Sequence, residues 1–268
     1  MLIRYFVLYN EKDKYVKGLS IMIYTKKLKI YLVKFAMRIA IVAIVLYLYF
    51  FRRDLVNEFM TGGSFHGINI LHVLWFIFMA IMALHLFPSK FRSMGLLKIK
   101  ELHYVPDKNY SELELLKYVQ KQNQRAWMVM LVWLCFNAIW ALLYLVGIIS
   151  EAELIVLTSL YFLFDYICIL LYCPFQSMIM HGKCCVNCRI YDWGHFMMFT
   201  PMLFIKNFFS WSLFFTSLVV LIRWEIVYAR HPERFWEGSN KTLRCVNCRD
   251  KTCQIKEKLA GRPPRAML

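Results

Sequence analysis

Four stretches of the chain, roughly 35–51, 68–87, 126–149 and 154–175, run almost free of charged residues for long enough to cross a bilayer. A transmembrane helix needs about 20 apolar residues at about 1.5 Å each, because every backbone N–H and C=O must be satisfied inside the segment. Lys34 and Arg38 mark the inner end of the first block. Some 34 residues precede that block and no small-residue cleavage site follows it, so it is expected to stay in the mature protein rather than leave as a signal peptide. Only Ser150-Glu151-Ala152-Glu153 separates the third block from the fourth, which makes those two helices antiparallel neighbours. Pro106 followed by Ser111-Glu112-Leu113-Glu114 reads as a breaker and then a capping box. It predicts a helix that starts near 112 and runs directly into the third block.

The last apolar region, about 190–224, admits two arrangements. Lys and Arg number eight in residues 1–34, two in 52–67, eight in 88–125, none in the 150–153 link, two in 176–198, and eleven after Ile222. Basic residues of short loops stay in the cytoplasm, so the N-terminus, the 88–125 loop and the 176–198 segment are expected there. A single span over about 199–222 would put the eleven-charge tail on the opposite face. A hairpin removes the conflict: Ile190 to Ile205 enters, Lys206-Asn207 turns, and Phe208 to Trp224 returns. Each arm has only about 16 residues, or roughly 24 Å, which suits a re-entrant or thinned region. Thr200-Pro201 is expected to kink the first arm. Six membrane segments are therefore favoured over five.

Composition agrees with this pattern and narrows the classes. The 268 residues are 60% apolar and 19% charged, with a formal net charge of +16, which excludes disordered, collagen-like and small disulfide-framework proteins. The basic residues lie on short segments beside the apolar blocks, so positive-inside bias accounts for them and a nucleic-acid partner is not expected. The expected fold is all-α, a polytopic integral membrane helical bundle of five or six segments with a small Cys-rich cytoplasmic element, in the plasma membrane with a cytoplasmic N-terminus. Its parts are a basic interfacial segment (1–34), two spans (35–87), a basic loop with a juxtamembrane helix (88–125), a helical hairpin (126–175), Cys-rich strings flanking a membrane hairpin or single span (176–257), and a disordered tail (258–268). Residues 18–34 alternate apolar positions with Lys26, Lys27 and Lys29, which suits contact with anionic lipid headgroups, the expected partners.

Nine cysteines divide into two populations. Cys135, Cys168 and Cys173 fall in apolar blocks and read as small apolar residues. Cys184, Cys185 and Cys188 form one cluster; Cys245, Cys248 and Cys253 form another, and the string Cys-Val-Asn-Cys-Arg occurs in both, at 185–189 and 245–249. Two Cys-x-x-Cys hooks offer the four thiolates that zinc or an iron–sulfur cluster takes. Lys183, Arg189, Arg244 and Arg249 flank the hooks and favour the thiolate form. A structural zinc held by Cys185, Cys188, Cys245 and Cys248 is the first reading, with Cys184 and Cys253 in reserve. An iron–sulfur cluster and a Cys-x-x-Cys dithiol relay are the alternatives. All of them require both hooks on one face.

Three further sets of residues are candidates. Asp165 lies mid-block, where a carboxylate is expensive and needs a partner, and Asn137 on the adjoining helix is the expected one, as interhelical glue or as part of an ion route. Asp192, His195, His231, Glu233 and Arg234 gather near the membrane boundary, as an interfacial belt or a small charged site. His72 and His85 lie 13 residues apart on the second block, but no other block has a matching pair, so both read as interface residues rather than haem ligands. No phosphate-binding glycine loop, dinucleotide fingerprint, His-Glu-x-x-His or Gly-x-Ser-x-Gly string occurs. Whether the protein is an enzyme stays open. The expected role is a membrane scaffold, interaction or transport component with a zinc site; the alternative is a membrane oxidoreductase.

Overall fold

The computed structural model describes residues 26–56, 70–87, 93–107, 109–182, 184–253 and 255–256. The expected interfacial stretch therefore falls within it only from residue 26, and the expected tail 258–268 lies outside the described residues. Among the described residues seven α-helices follow in order: α1 (Lys26–Phe51), α2 (Ile70–Leu86), the short α3 (Met94–Leu97), α4 (Glu112–Leu145), α5 (Glu151–Leu170), the short α6 (Gly194–Phe199) and α7 (Phe208–Arg230). The described residues hold no strand beyond one isolated bridge, Pro106 to Asn240. Helices α1, α4, α5 and α7 are long and apolar enough to cross a membrane; α2 is apolar but has 17 residues. The molecule is an all-helical, membrane-type bundle.

Local sequence explains most of the boundaries. Helix α4 starts at Glu112, where the sequence places it, but the expected capping box does not form because the Ser111 side chain makes no capping hydrogen bond; the helix ends where Gly147 takes φ +79 and its N–H returns to the Tyr144 carbonyl (3.0 Å). At the start of α5 the Glu153 carboxylate accepts the Ser150 backbone N–H (2.7 Å). The fourth apolar block extends to 175, but α5 stops at Leu170. Pro174 has no N–H to donate and disfavours helix in the residue before it, so the chain leaves α5 and makes a short π-helical turn over Phe175–Ile179.

The contacts between helices fix their directions. Tyr49 donates to Glu153 (2.6 Å), Arg38 to Asp165 (2.7 Å), and the Tyr31 and Tyr166 rings lie 6.0 Å apart, so α1 and α5 are antiparallel. His72 meets Phe209 edge-on at 4.9 Å, the Trp75 indole donates to Ser212 (2.8 Å), and Arg223 lies over the Phe87 ring (5.9 Å), so α2 and α7 run parallel. Residues 51–56, 146–150 and 205–207 consequently share one end of the bundle. The start of α1, the 93–111 loop, and residues 171–190 and 231–256 share the other.

Residues 190–230 form a hairpin. Its first arm passes from a 3-10 turn (Tyr191–Trp193) through α6 into a second 3-10 stretch (Thr200–Phe204), only about 19 Å of rise from Gly194 to Phe204. The continuous arm expected over 190–205 is thus broken where Thr200-Pro201 predicts a kink. Asn207 turns the chain and its side chain accepts the Phe209 N–H (3.1 Å), capping α7. Helix α7 runs six residues past the expected end at Trp224, because no breaker occurs before Pro232 and Tyr228 is buried against Phe235 (5.0 Å). Along the hairpin the Trp211 indole donates to the Leu203 carbonyl (3.3 Å), Phe196 packs on Phe214 (5.9 Å), and the Trp224 indole donates to the Arg189 carbonyl (2.9 Å).

Trp224 has no solvent exposure and meets Phe235 edge-on at 5.0 Å. Trp224→Ala is expected to lower stability by about 3–5 kcal/mol, seen as a lower unfolding temperature in detergent; an unchanged temperature would contradict this packing.

Candidate functional site

A cavity of about 300 Å³ lies between α1, α2, α5 and the first turn of the hairpin, and its walls include Arg38, His85, Asp165, Asp192, Gly194 and His195. Tyr31 and Arg38 are seven residues apart on α1 and so share the face that meets α5. Phe162, Asp165 and Tyr166 make the matching face of α5. Arg38 donates to the Asp165 carboxylate (2.7 Å) and to the Phe162 carbonyl, and its guanidinium lies 4.0 Å from the Phe162 ring centre and 3.9 Å from that of Tyr166. A mid-bundle acid is thereby matched by a mid-bundle base whose faces are covered by aromatic rings.

The second half of the chamber comes from α2 and the hairpin. Buried Asp192 faces the His85 ring, with Oδ1 and Nδ1 3.2 Å apart, while its other oxygen, Oδ2, has no partner among the described residues. The His195 ring stands edge-on to His85 at 4.5 Å. A Cβ on Gly194 would lie 2.7 Å from Asp165 Oδ1, so glycine lets that carboxylate rest against the hairpin backbone. Two carboxylates, two imidazoles and a guanidinium thus line one partly open cavity together with Lys27 and Lys34, an arrangement suited to holding a polar solute or exchanging protons.

Asn137 is not part of it. It is buried, and its amide donates to the Trp133 carbonyl one turn back (2.9 Å). Helix α4 packs instead on the second 3-10 stretch, where the Trp133 indole donates to Thr200 (3.1 Å), while Asp165 points toward α1. The expected boundary group also divides. Asp192 and His195 belong to the chamber, His231 and Glu233 pair with each other (3.2 Å), and buried Arg234 donates to the Ile99 carbonyl (3.3 Å). Nothing in the sequence pattern pointed to His85 as the partner of Asp192. Arg38 was visible as the lone cation inside the first apolar block.

At the loop-rich end of the bundle the two cysteine strings lie on the same side. Each hook closes with the same backbone bond, Cys188 N–H to the Cys185 carbonyl (3.0 Å) and Cys248 N–H to the Cys245 carbonyl (3.2 Å). The Asn187 side chain donates to the Leu243 carbonyl (2.9 Å) and links one string to the segment leading into the other. The thiols themselves point in different directions. Cys185 donates to the Cys168 carbonyl (3.2 Å), and Lys256 reaches both that carbonyl (2.6 Å) and the Cys185 sulfur (2.9 Å). The Cys173 sulfur is hydrogen-bonded with Cys168 and Cys185; the first of these bonds is the main reason its thiol is pushed up to about 12. Cys184 and Cys188 lie near the ammonium of Lys98, but burial dominates and pushes each thiol up to about 11. Among the described residues no three His, Cys, Asp or Glu side chains are disposed to hold a metal, and no disulfide forms. The meeting of Cys168 and Cys173 with Cys185 went unseen in the sequence, because the apolar block hides where α5 ends.

Beside the first string, Arg189 grips the Glu225 carboxylate with both terminal nitrogens and lies 3.5 Å over the Tyr228 ring, and the Trp193 indole donates to the same carboxylate (2.7 Å). No family model, curated protein or solved structure matches the chain.

Removing one member of a half-buried ion pair leaves the other without its partner. Arg38→Met is expected to destabilise by about 1.5–3 kcal/mol, and Asp165→Leu added to it to restore most of that loss. Additive losses in the double-mutant cycle would show that the two side chains do not pair.

Proposed function

We propose that this chain is a multi-pass plasma-membrane protein that works as a transport component, with the chamber of Arg38, His85, Asp165, Asp192 and His195 as its solute or proton site. The observation that carries this reading is the convergence of those five titratable side chains inside a helix bundle, where charge is costly and is kept for function. The proposed orientation puts the N-terminus and both cysteine strings in the cytoplasm. Its support is charge: one end of the bundle has Arg52, Arg53 and Lys206, and most of the other described Lys and Arg belong to the opposite end. The hairpin counts as two membrane segments, its first arm re-entrant, for six in all. Anionic lipids at the basic end are the proposed partners.

The cysteine-rich cap is proposed as a structural zinc clip of Cys185, Cys188, Cys245 and Cys248, with Cys184 and Cys253 as nearby thiols. What supports it is the like closure of the two hooks and their link through Asn187; loading requires Cys185 to turn away from Cys168. A second reading, a thiol redox relay in a membrane oxidoreductase, is favoured by the contact of Cys173 with Cys168 and Cys185. An iron–sulfur centre is the third occupant the thiols would suit.

In sealed vesicles with a trapped pH dye and an imposed proton gradient, at least one of a panel of amino acids, organic anions and metal cations is expected to drive protein-dependent proton movement. Asp165→Asn with the fold intact should abolish it. No response across the panel, or an unchanged response in the variant, contradicts the transport reading. For the cap, colourless purified protein is expected to hold about one zinc per chain, lost in Cys188→Ser and Cys248→Ser. Bound iron with a brown colour, or metal-free protein with freely reactive hook thiols, contradicts the zinc clip.

A further inference from the structure

A second cavity, of about 480 Å³, opens at the basic end beside the chamber above and shares Lys27 with it. Its walls carry Lys27 from the first turn of α1, Lys98 just after α3, His103, and Lys241 and Arg249 from the segment around the second cysteine string. No described carboxylate lines it. The nearest acids lie behind the wall. Asp107 is engaged by Arg244 and sits 3.8 Å from Lys241, and fully buried Asp250 accepts the Met94 N–H (3.0 Å) and the Tyr31 hydroxyl (3.4 Å).

Lys98 is the unusual member. It is 3% exposed, donates to the Cys188 carbonyl (3.2 Å), and sees the Tyr191, Trp224 and Phe235 rings at about 6 Å. None of the described carboxylates lies within ion-pair distance of it. A buried cation with no carboxylate partner among the described residues is costly, and Lys98 also forms part of the wall of this cavity. An anion seated there would satisfy Lys98 and draw on Lys27, Lys241 and Arg249 at once.

We infer that this cavity is a binding site for a phosphate ester, either the headgroup of an anionic lipid or a small soluble phosphate. Several convergent lysines and an arginine match a multiply charged tetrahedral anion better than a single carboxylate. A compact cavity without an extended basic strip does not fit nucleic acid. Lys27 lies eight residues before the first apolar block, about 12 Å along α1, from where its long side chain can reach back to the headgroup layer.

The test uses the full-length protein in phosphatidylcholine nanodiscs with two probes, phosphatidic acid included in the disc and glycerol 3-phosphate added in solution. Saturable binding of at least one probe is expected, roughly tenfold weaker in Lys241→Gln and in Arg249→Gln, and unchanged in Arg230→Gln, an exposed cation away from the cavity. Binding of phosphatidic acid alone identifies a lipid headgroup; binding of glycerol 3-phosphate identifies a soluble ester. Lys98→Gln should abolish binding, and if it does not fold the other two variants still decide. Binding of neither probe, retention of full affinity in both cavity variants, or equal loss in Arg230→Gln overturns the site.

Discussion

Arg189 and Glu225 face each other across the neck of the 190–230 hairpin, and the remainder of the loop-rich end depends on that closure. The guanidinium is buried, gripped from one side by a carboxylate and covered on its face by Tyr228, while Trp193 and Trp224 fill the space above and below. A charge so deeply placed is made tolerable by the carboxylate that receives both of its terminal nitrogens, while Nε has no hydrogen-bond partner among the described residues. Closing the neck brings residue 189 and residue 225 to one level, so the chain that enters the hairpin and the chain that leaves it emerge side by side. The cysteine strings flank those two exits. Their shared face is a consequence of the hairpin and needs no separate interaction, although Asn187 adds one.

The same hairpin completes the chamber. Its first turn delivers Asp192, Gly194 and His195 to a space already half enclosed by α1, α2 and α5. Gly194 is what allows the approach, since any Cβ there would collide with Asp165. The shortness of the first arm matters as well. The switch from α to 3-10 falls at Thr200, whose hydroxyl accepts the Trp133 indole N–H of α4. Structure and proposed function meet here: a re-entrant segment places polar groups at membrane depth where they face protein rather than lipid.

Apolar length and breakers made the helices legible. The string Ser111-Glu112-Leu113-Glu114 located the start of α4, the short Ser150–Glu153 link located the turn into α5, and the charge alternation pointed to a return of the chain after Lys206-Asn207. Chain length along an axis can be read this way because each residue adds a fixed rise. Rotation of one helix about its own axis against another cannot, and that is where expectation and structure part. Asp165 turned toward Arg38 on α1 rather than toward Asn137 on α4. Cys168 and Cys173, read as apolar filler, lie beside Cys185 because α5 ends at Leu170 and the next residues fold back. Both differences come from packing between distant segments, to which local periodicity is blind.

Sidedness of the second cysteine string tests the account most directly. Val246 lies inside the Cys245–Cys248 hook, so the marker is placed beyond it: one epitope follows Leu268, which leaves the hook spacing intact, and a second marks the N-terminus. Both epitopes are expected to be reached by antibody only in inside-out vesicles. Access to the epitope after Leu268 from the opposite face to the N-terminal one would mean that the chain crosses once where the hairpin is drawn, and the common face of the two strings would be lost.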